Sequence, residues 1–318
     1  MKRLYLAAVA ALCSLSAAAQ SWPTKPVKLV VGFAAGGPTD VVARGFAEHA
    51  SKSLGQPVIV DNKPGANTII AAEAVAAASD GYTLLMAATN HTMIPALYSS
   101  RVKFDAVRSF KPICMLAAAP TILVVGPSMS TRTLKEFIQR AKDKPQEITY
   151  GTPGIGSSGH FASELFAQQA GVRMAHIPYK GASPVVTDLI AGHVDASFAT
   201  LGSVIQQIKV GKLRALAIAA PNRLPELPDV PTFTEAGMSG YSADSWYGLL
   251  APASMPEELV KLLQREAVAY ATSSTGGEKL RQLGMEPQRM CGEAFGKQIS
   301  HEVATNSQIA REIDLKVE

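Results

Sequence analysis

Two short segments have the composition of anion-binding turns. Gly32 to Thr39 (GFAAGGPT) and Gly151 to His160 (GTPGIGSSGH) both place glycines and small hydroxyl residues directly before a helical stretch. The first N–H groups of a helix lack intrahelical partners and sit at the positive end of its dipole, so such a turn can hold an anion without a lysine. The first loop has the spacing of a phosphate loop, but Pro38 stands where its lysine would be. Nucleotide hydrolysis therefore lacks its cation. The order of glycines is not GxGxxG, and no convincing acid ends the following strand, so a pyrophosphate is disfavoured as well. A carboxylate fits better. Thr39 offers a hydroxyl, and Asp40 stabilises the first turn as an acid near a helix N-terminus. Taken alone, the first loop is equally well a bare strand-to-helix turn; the second loop shifts the balance towards a ligand gripped from two sides. Micromolar binding needs about 8 kcal/mol, and hydrogen bonds to a charged acceptor give roughly 1.5–3 kcal/mol each, so about four to six suffice.

Catalytic and metal chemistry find less support. Ser158 is not framed as GxSxG, because His160 holds the position of the second glycine. For His160, a ligand or loop-ordering contact and a structural role both remain open; His176 reads as structural. There is no CxxC or HExxH, and the histidines are scattered, so neither a metal nor a cofactor is expected. Lys180 is either solvent-facing or a cleft cation. Trp246 and Tyr247 belong to core, hinge or cleft wall.

The elements that must position these loops alternate along the chain. Val27 to Val31, the first loop and a helix from Thr39, then Val58 to Val60, a helix to Ser79 and Tyr82 to Ala87 make a βαβαβ series, which predicts a parallel, doubly wound sheet. A second series follows Leu123 to Val125. Ser130 or Thr131 caps its first helix, Ile148 to Tyr150 leads into the second loop, and a later helix has Ser183 at its cap and Pro184 at its first position. From Trp246 one strand and three helical stretches have no full sheet of their own, which predicts that they pack back onto the first unit. The chain then crosses twice between lobes, giving a hinge and a cleft at the carboxyl ends of the strands.

Lys2 and Arg3 precede an apolar stretch from Leu4 to Ala19, and Ala17-Ala18-Ala19 has the form of a secretory cleavage site. Residues 1–19 read as a signal peptide. Of 318 residues 47% are hydrophobic and 18% charged, enough for a large core, and the net charge of +4 without a basic run argues against nucleic acid. The longest later apolar stretch, Met115 to Val125, is broken by Pro120 and is shorter than the ~20 residues of a membrane span. Cys114 and Cys291 survive cleavage. They read as two separate thiols rather than a pair, although export permits a disulfide.

The segments KPVKLVVGFAAGGPTDVVAR, VDNKPGANTIIAAEAVAAASDGYTLLM, ITYGTPGIGSSGHFASELF, HIPYKGASPVVTDLIAGHVDASF and GKLRALAIAAPNRLPELPDVPTFTEAG resemble, in this order, the Bug receptors, the periplasmic solute-binding proteins of tripartite tricarboxylate transporters. The resemblance covers nearly all of residues 23–318. It implies an α/β, two-lobed periplasmic-binding-protein fold, type II-like, each lobe a doubly wound, mostly parallel sheet with the ligand cleft between them. Residues 20–122 plus 246–318 would form one lobe and 123–245 the other. It also implies a periplasmic monomer without catalysis, which delivers a small organic carboxylate to a membrane permease of one large and one small subunit. A membrane sensor protein is the alternative partner, and an exported hydrolase the disfavoured third function. Carried over residue by residue, ligand contacts fall on Phe33, Ala34, Ala35, Gly36, Gly37, Thr39 and Asp40, on Thr89 and Asn90, and on Thr152, Gly156, Ser157, Ser158 and His160. Ala34-Ala35 replaces a Pro-Pro pair common in the family, so the first loop should be less stiff. Many relatives have acidic or amide residues after the strand VDASF, where this chain has Ala199-Thr200. Thr200 is thus a candidate contact in a pocket that prefers an acid without an amine, with Asp244 the remaining acid that could reach the cleft.

Overall fold

The structure is a computed structural model that describes residues 22–98, 101–241 and 243–312. The signal peptide assigned to residues 1–19 lies outside the described residues.

In the first lobe, β1 (Val27–Val31), β2 (Val58–Asn62) and β3 (Thr83–Ala88) are joined by helices α1 (Pro38–Leu54) and α2 (Ile69–Ala76). β1 pairs in parallel with both β2 and β3. Its side chains alternate as a doubly covered sheet requires: Val27, Leu29 and Val31 meet Phe46 of α1 on one face, and Val30 meets Ala72 and Val75 of α2 on the other. Next come a short α3 (Ile94–Tyr98) and β4 (Phe110–Val125), whose 16 residues extend far upstream of the expected Leu123 to Val125. The apolar run containing Pro120 is therefore a strand serving two lobes in turn.

The second lobe repeats the pattern with α4 (Leu134–Asp143), β5 (Thr149–Thr152), α5 (Ser158–Ala170), β6 (Ala175–Pro178), α6 (Ala182–Ala191), β7 (Ala196–Thr200), α7 (Leu201–Lys209) and β8 (Arg214–Ile218). The chain returns through β9 (Asp244–Pro252) to α8 (Glu257–Thr272), α9 (Ser274–Gln282), the two-residue β10 (Glu286–Pro287) and α10 (Gly292–Glu312). Val260 and Leu263 of α8 join Phe46 and Leu29, and Phe295 and Ile299 of α10 join Val30, so these helices pack on the two faces of the sheet that holds β1.

The first lobe has strand order β2-β1-β3-β9-β4 and the second β6-β5-β7-β4-β8, so each borrows a crossover strand in the same slot. These borrowed strands run antiparallel to their neighbours and make the sheets mixed outside the three parallel strands of each lobe. Phe110 to Pro120 of β4 pairs with β9, whereas Thr121 to Val125 pairs with β7 and β8. Pro120 faces Asp244, and Thr121 N–H donates to Ala243 O at 3.0 Å, which sets the two crossings side by side.

Three local expectations are corrected. Thr133, not Ser130 or Thr131, caps α4: its hydroxyl accepts from Glu136 N–H (3.2 Å) while the Glu136 carboxylate accepts from Arg132 N–H (2.7 Å). Gly181, not Ser183, precedes α6, because a φ of 125° there suits glycine alone. Cys114 and Cys291 are not separate thiols but a disulfide with Cα atoms 4.0 Å apart. Backbone pairing between β4 and the segment before α10, with Met115 N–H on Met290 O at 2.9 Å, supplies a proximity that linear spacing could not reveal.

Candidate functional site

Four helices begin at one small cavity between the lobes. Its wall contains Gly37, Pro38 and Thr39 at the start of α1, Ser157 and Ser158 at α5, Ala182 at α6 and Thr200 just before α7. Phe33, Ala88, Asn90, Pro153, Ser245 and Tyr247 complete it, with no charged side chain among them. Helix geometry leaves the first N–H groups of each terminus without intrahelical partners, and four dipoles converge with their positive ends. The wall therefore consists of main-chain donors and hydroxyls, a composition suited to an anion.

The first loop is held from behind. Asp40 is 2% exposed, and its carboxylate accepts from Gly36 N–H (2.9 Å), Arg44 Nε (2.8 Å) and Asn62 Nδ2 (2.9 Å). Burial pushes its carboxyl up, but these hydrogen bonds, Arg44 foremost, outweigh burial and hold it below the usual carboxylate range. Asp40 thus orders the loop through Gly36, Arg44 and Asn62. Asn62 also donates to Phe33 O at 3.1 Å, which ties the end of β2 to the first loop. The tip, Ala34 and Ala35, stays outside the cavity and reaches the other lobe: a Cβ on Gly181 would meet the Cβ of Ala34 at 3.4 Å. Gly36 lines the neighbouring hollow rather than the central cavity.

A stack of rings supports the second loop. His160 and His176 lie parallel with centroids 4.0 Å apart, and Tyr150 continues the stack on His176 at 4.9 Å. His160 Nδ1 accepts from Gly156 N–H at 3.0 Å, and His176 Nε2 pairs with the Thr152 hydroxyl at 2.6 Å. Tyr150 OH donates to Glu164, whose carboxylate stands 3.9 Å from His160 Nε2. Burial, then the neighbouring His176, pushes His160 down to about 3, and burial pushes His176 down to about 4. Both imidazoles are neutral at pH 7, as an Nδ1 that accepts from an amide requires. His160 and Thr152 therefore shape the loop from beneath, while Ser157 and Ser158 face the cavity. Gly156 O accepts from Asn67 Nδ2 of the other lobe at 2.9 Å; a Cβ on Gly156 would sit 2.8 Å from that nitrogen, and its φ is 74°.

The third region closes the floor. Asn90 Nδ2 donates to Thr68 Oγ1 (2.8 Å) and Asn67 O (3.1 Å), which fixes the amide orientation and leaves its Oδ1 buried without a hydrogen-bond partner among the described residues. Ala66, Asn67 and Thr68 all have positive φ, a run these bonds hold in place. Thr89 is behind the wall, its hydroxyl accepting from Trp246 N–H at 2.7 Å. His91 is buried against Phe104 and Phe110, with Nε2 2.8 Å from Ala106 O. At the crossover, Ser245 Oγ lies 3.2 Å from Ser158 Oγ, linking hinge to second loop. Asp244 is not part of the cavity wall; loss of solvation at the crossover, then Glu302, pushes its carboxyl up.

Pro38, Ala88 and Pro153 lie within the three contact segments read from sequence, whereas Ala182 and Ser245 are wall residues that sequence reasoning missed. Ala182 had a usable signal, since the turn KGAS precedes a helix just as the glycine loops do. Tyr247 forms wall, whereas Trp246 packs on Phe295 and donates to Glu302 at 2.8 Å. A cavity of about 480 Å³ walled by Ile94, Phe104 and Val303 shares no residue with the loops and has no converging donors, so it is not assigned the ligand.

Two α/β lobes joined by paired crossover strands, with helix N-termini facing across the cleft, define a periplasmic solute-binding receptor. The chain belongs to the tripartite tricarboxylate transporter family receptors, whose family model matches residues 42–315. It is 35% identical over 249 residues to BugT of Bordetella pertussis, covering 78% of this chain and 76% of that protein. Among solved structures it is similar to Rpa4515 of Rhodopseudomonas palustris, determined with adipate: TM-score 0.89, 33% identity, 93% of this chain and 99% of that one. MatC (Rpa3494) of the same species, with bound malate, gives a TM-score of 0.86 and 30% identity over 91% of this chain and 99% of that one.

Proposed function

We propose that this receptor captures a small organic carboxylate in the cavity between Thr39, Asn90, Ser157 and Thr200 and presents the closed form to the large and small permease subunits of a tripartite tricarboxylate transporter. The observation that carries the reading is the convergence of four helix N-termini on a wall without charged side chains. An anion is the group such a wall stabilises, and a planar carboxylate with two oxygens can accept donors from both lobes at once. Adipate and malate bound to the two relatives belong to the same chemical class. With residues 20–122 and 246–318 as one lobe and 123–245 as the other, closure pivots on the adjacent crossings at Pro120 and Asp244.

Binding without catalysis is the companion proposal. Ser158 Oγ is near Ser245 rather than His160, and His160 Nδ1 is occupied by Gly156 N–H, so no activated nucleophile is assembled. The wall offers no carboxylate to an ammonium group, which favours acids without an amine. We also take the receptor to act as a monomer, with a membrane sensor as the alternative to the permease.

A thermal-shift screen of mono-, di- and aromatic carboxylates, citrate and amino acids tests the proposal. Saturable one-to-one stabilisation by an acid, with no product formed, is expected. Stabilisation by amino acids alone, by no carboxylate, or turnover of an ester would overturn it.

A further inference from the structure

The central cavity measures about 40 Å³, whereas small-molecule sites span roughly 300–1,000 Å³. It has room for a carboxylate head but not for a whole acid. Two larger spaces adjoin it. One, of about 190 Å³, shares Gly37, Pro38 and Ala182 with it and has no charged side chain on its wall. The other, of about 480 Å³, shares Phe33 and Pro153 and carries two cations, Arg101 from the first lobe and Lys180 from the second, with no acid. Ile69, Ile155 and Pro178 give it carbon-rich walls.

Lys180 is anchored to the loop that would grip the head group. Tyr179 N–H donates to Thr152 O (2.9 Å), and Gly181 N–H to Pro153 O (3.0 Å), so the backbone on both sides of Lys180 is tied to the second glycine loop. The nearest acid along this segment, Asp188, is engaged by Tyr179 OH at 2.7 Å and lies off the chamber wall. Lys180 has no ion-pair partner among the described residues. An exposed ammonium carried on tethered backbone and lining a chamber whose wall has no acid is suited to pairing with an anionic group that enters from the cavity.

We infer that the 480 Å³ chamber is a second subsite, in which Lys180 pairs with the distal carboxylate of a linear α,ω-dicarboxylate whose first carboxylate lies among the helix N-termini. The apolar walls cover the intervening methylenes. The chamber takes walls from both lobes, where Tyr98 OH donates to Ile155 O at 3.0 Å, so an extended ligand would bridge the lobes and favour closure. This subsite rests on the carboxylate-receptor reading above.

The test is calorimetry on the full mature chain with adipate and with hexanoate, an acid of equal length lacking the second carboxylate. Wild type should prefer adipate by about tenfold, the size of one charge-assisted contact at a partly exposed site, and the preference should shrink as salt rises. Lys180→Met should reduce the preference to within about twofold while leaving hexanoate binding unchanged, and Lys180→Glu should make hexanoate the better ligand. A preference for adipate that survives both substitutions, or an equal loss for both acids, would refute the subsite. Hexanoate binding to wild type with no preference for adipate would also refute it, yet leave the receptor reading standing. Failure of every carboxylate to bind would remove both.

Discussion

Asp40 offers a direct test of whether the first loop is ordered by the protein rather than by its ligand. Replacing Asp40 with Ala removes the acceptor for Gly36 N–H, Arg44 Nε and Asn62 Nδ2 together. The Arg44 side chain is 54% exposed, so its ion pair contributes about 0–1 kcal/mol. The other two bonds end on a carboxylate that is 2% exposed and contribute roughly 1.5–3 kcal/mol each. Asp40→Ala should therefore lower stability by at least about 3 kcal/mol, or about 6–12 °C in thermal midpoint. Asn62 would lose one of the two acceptors that fix it against Phe33, so the loop should also loosen and carboxylate affinity fall at least tenfold. Arg44→Ala is the internal control, with a loss within about 1 kcal/mol and nearly native affinity. Denaturant melts paired with calorimetry on both variants decide the matter. If Asp40→Ala costs no more than Arg44→Ala, or loses stability while keeping full affinity, then Asp40 does not organise the binding loop.

Protonation of the buried histidines gives a second expectation. His160 is held near 3 and His176 and His91 near 4, all below the ordinary value of 6.5, so the unfolded chain takes up protons that the fold excludes. Stability should be complete above about pH 6.5 and decline as pH falls towards about 4, by about 2 kcal/mol at pH 5 for each fully excluded proton; denaturant midpoints that stay level from pH 7.5 to 5 would contradict this. Reduction of Cys114–Cys291 opens a 177-residue loop and should cost about 3–5 kcal/mol, with affinity within about twofold because neither cysteine lines the cavity. A large loss of binding in the reduced, still folded protein would be the contrary result. The unpartnered Asn90 Oδ1 calls for a donor, so malate should bind about two- to tenfold more tightly than succinate, and Asn90→Leu should erase that difference. Equal affinities of the native protein for the two acids would show that this oxygen does not meet the ligand.

The lobes and both glycine loops could be read from sequence because each depends on short-range signals: β-branched runs of period two, then glycine and hydroxyl residues before an amphipathic helix. Three features of the structure could not, for one shared reason. The length of β4, the pairing of Cys114 with Cys291, and the packing of Asn62, Asn67 and Asn90 behind the loops depend on contacts between distant segments. A turn such as DNKPGAN looks bland in isolation. Its importance comes from Asn62 bonding Asp40, and from Asn67 reaching Gly156 across the cleft. His160 shows the limit from the other side. Its position beside two serines suggested a possible ligand contact, while its ring is turned beneath the loop and stacked on His176.

The distribution of donors between the lobes has a mechanical consequence. Helices α5, α6 and α7, three of the four that start at the cavity, belong to the second lobe, whereas the first contributes α1, Asn90 and the crossover residue Tyr247. Under the proposed closure, the second lobe would keep most of the positive dipole ends when the lobes part, and the first would supply hydroxyl and amide contacts that the ligand gains only on closure. A fixed lysine at the head-group position would keep much of its attraction in the open form. Donors divided between lobes would lose theirs on opening, so under the proposed closure one motion would govern both affinity and release. This division also accounts for the care with which the first lobe's loop is braced. Asp40 and Asn62 hold Gly36 and Phe33 in place before closure, so ordering that loop need not be charged against ligand binding.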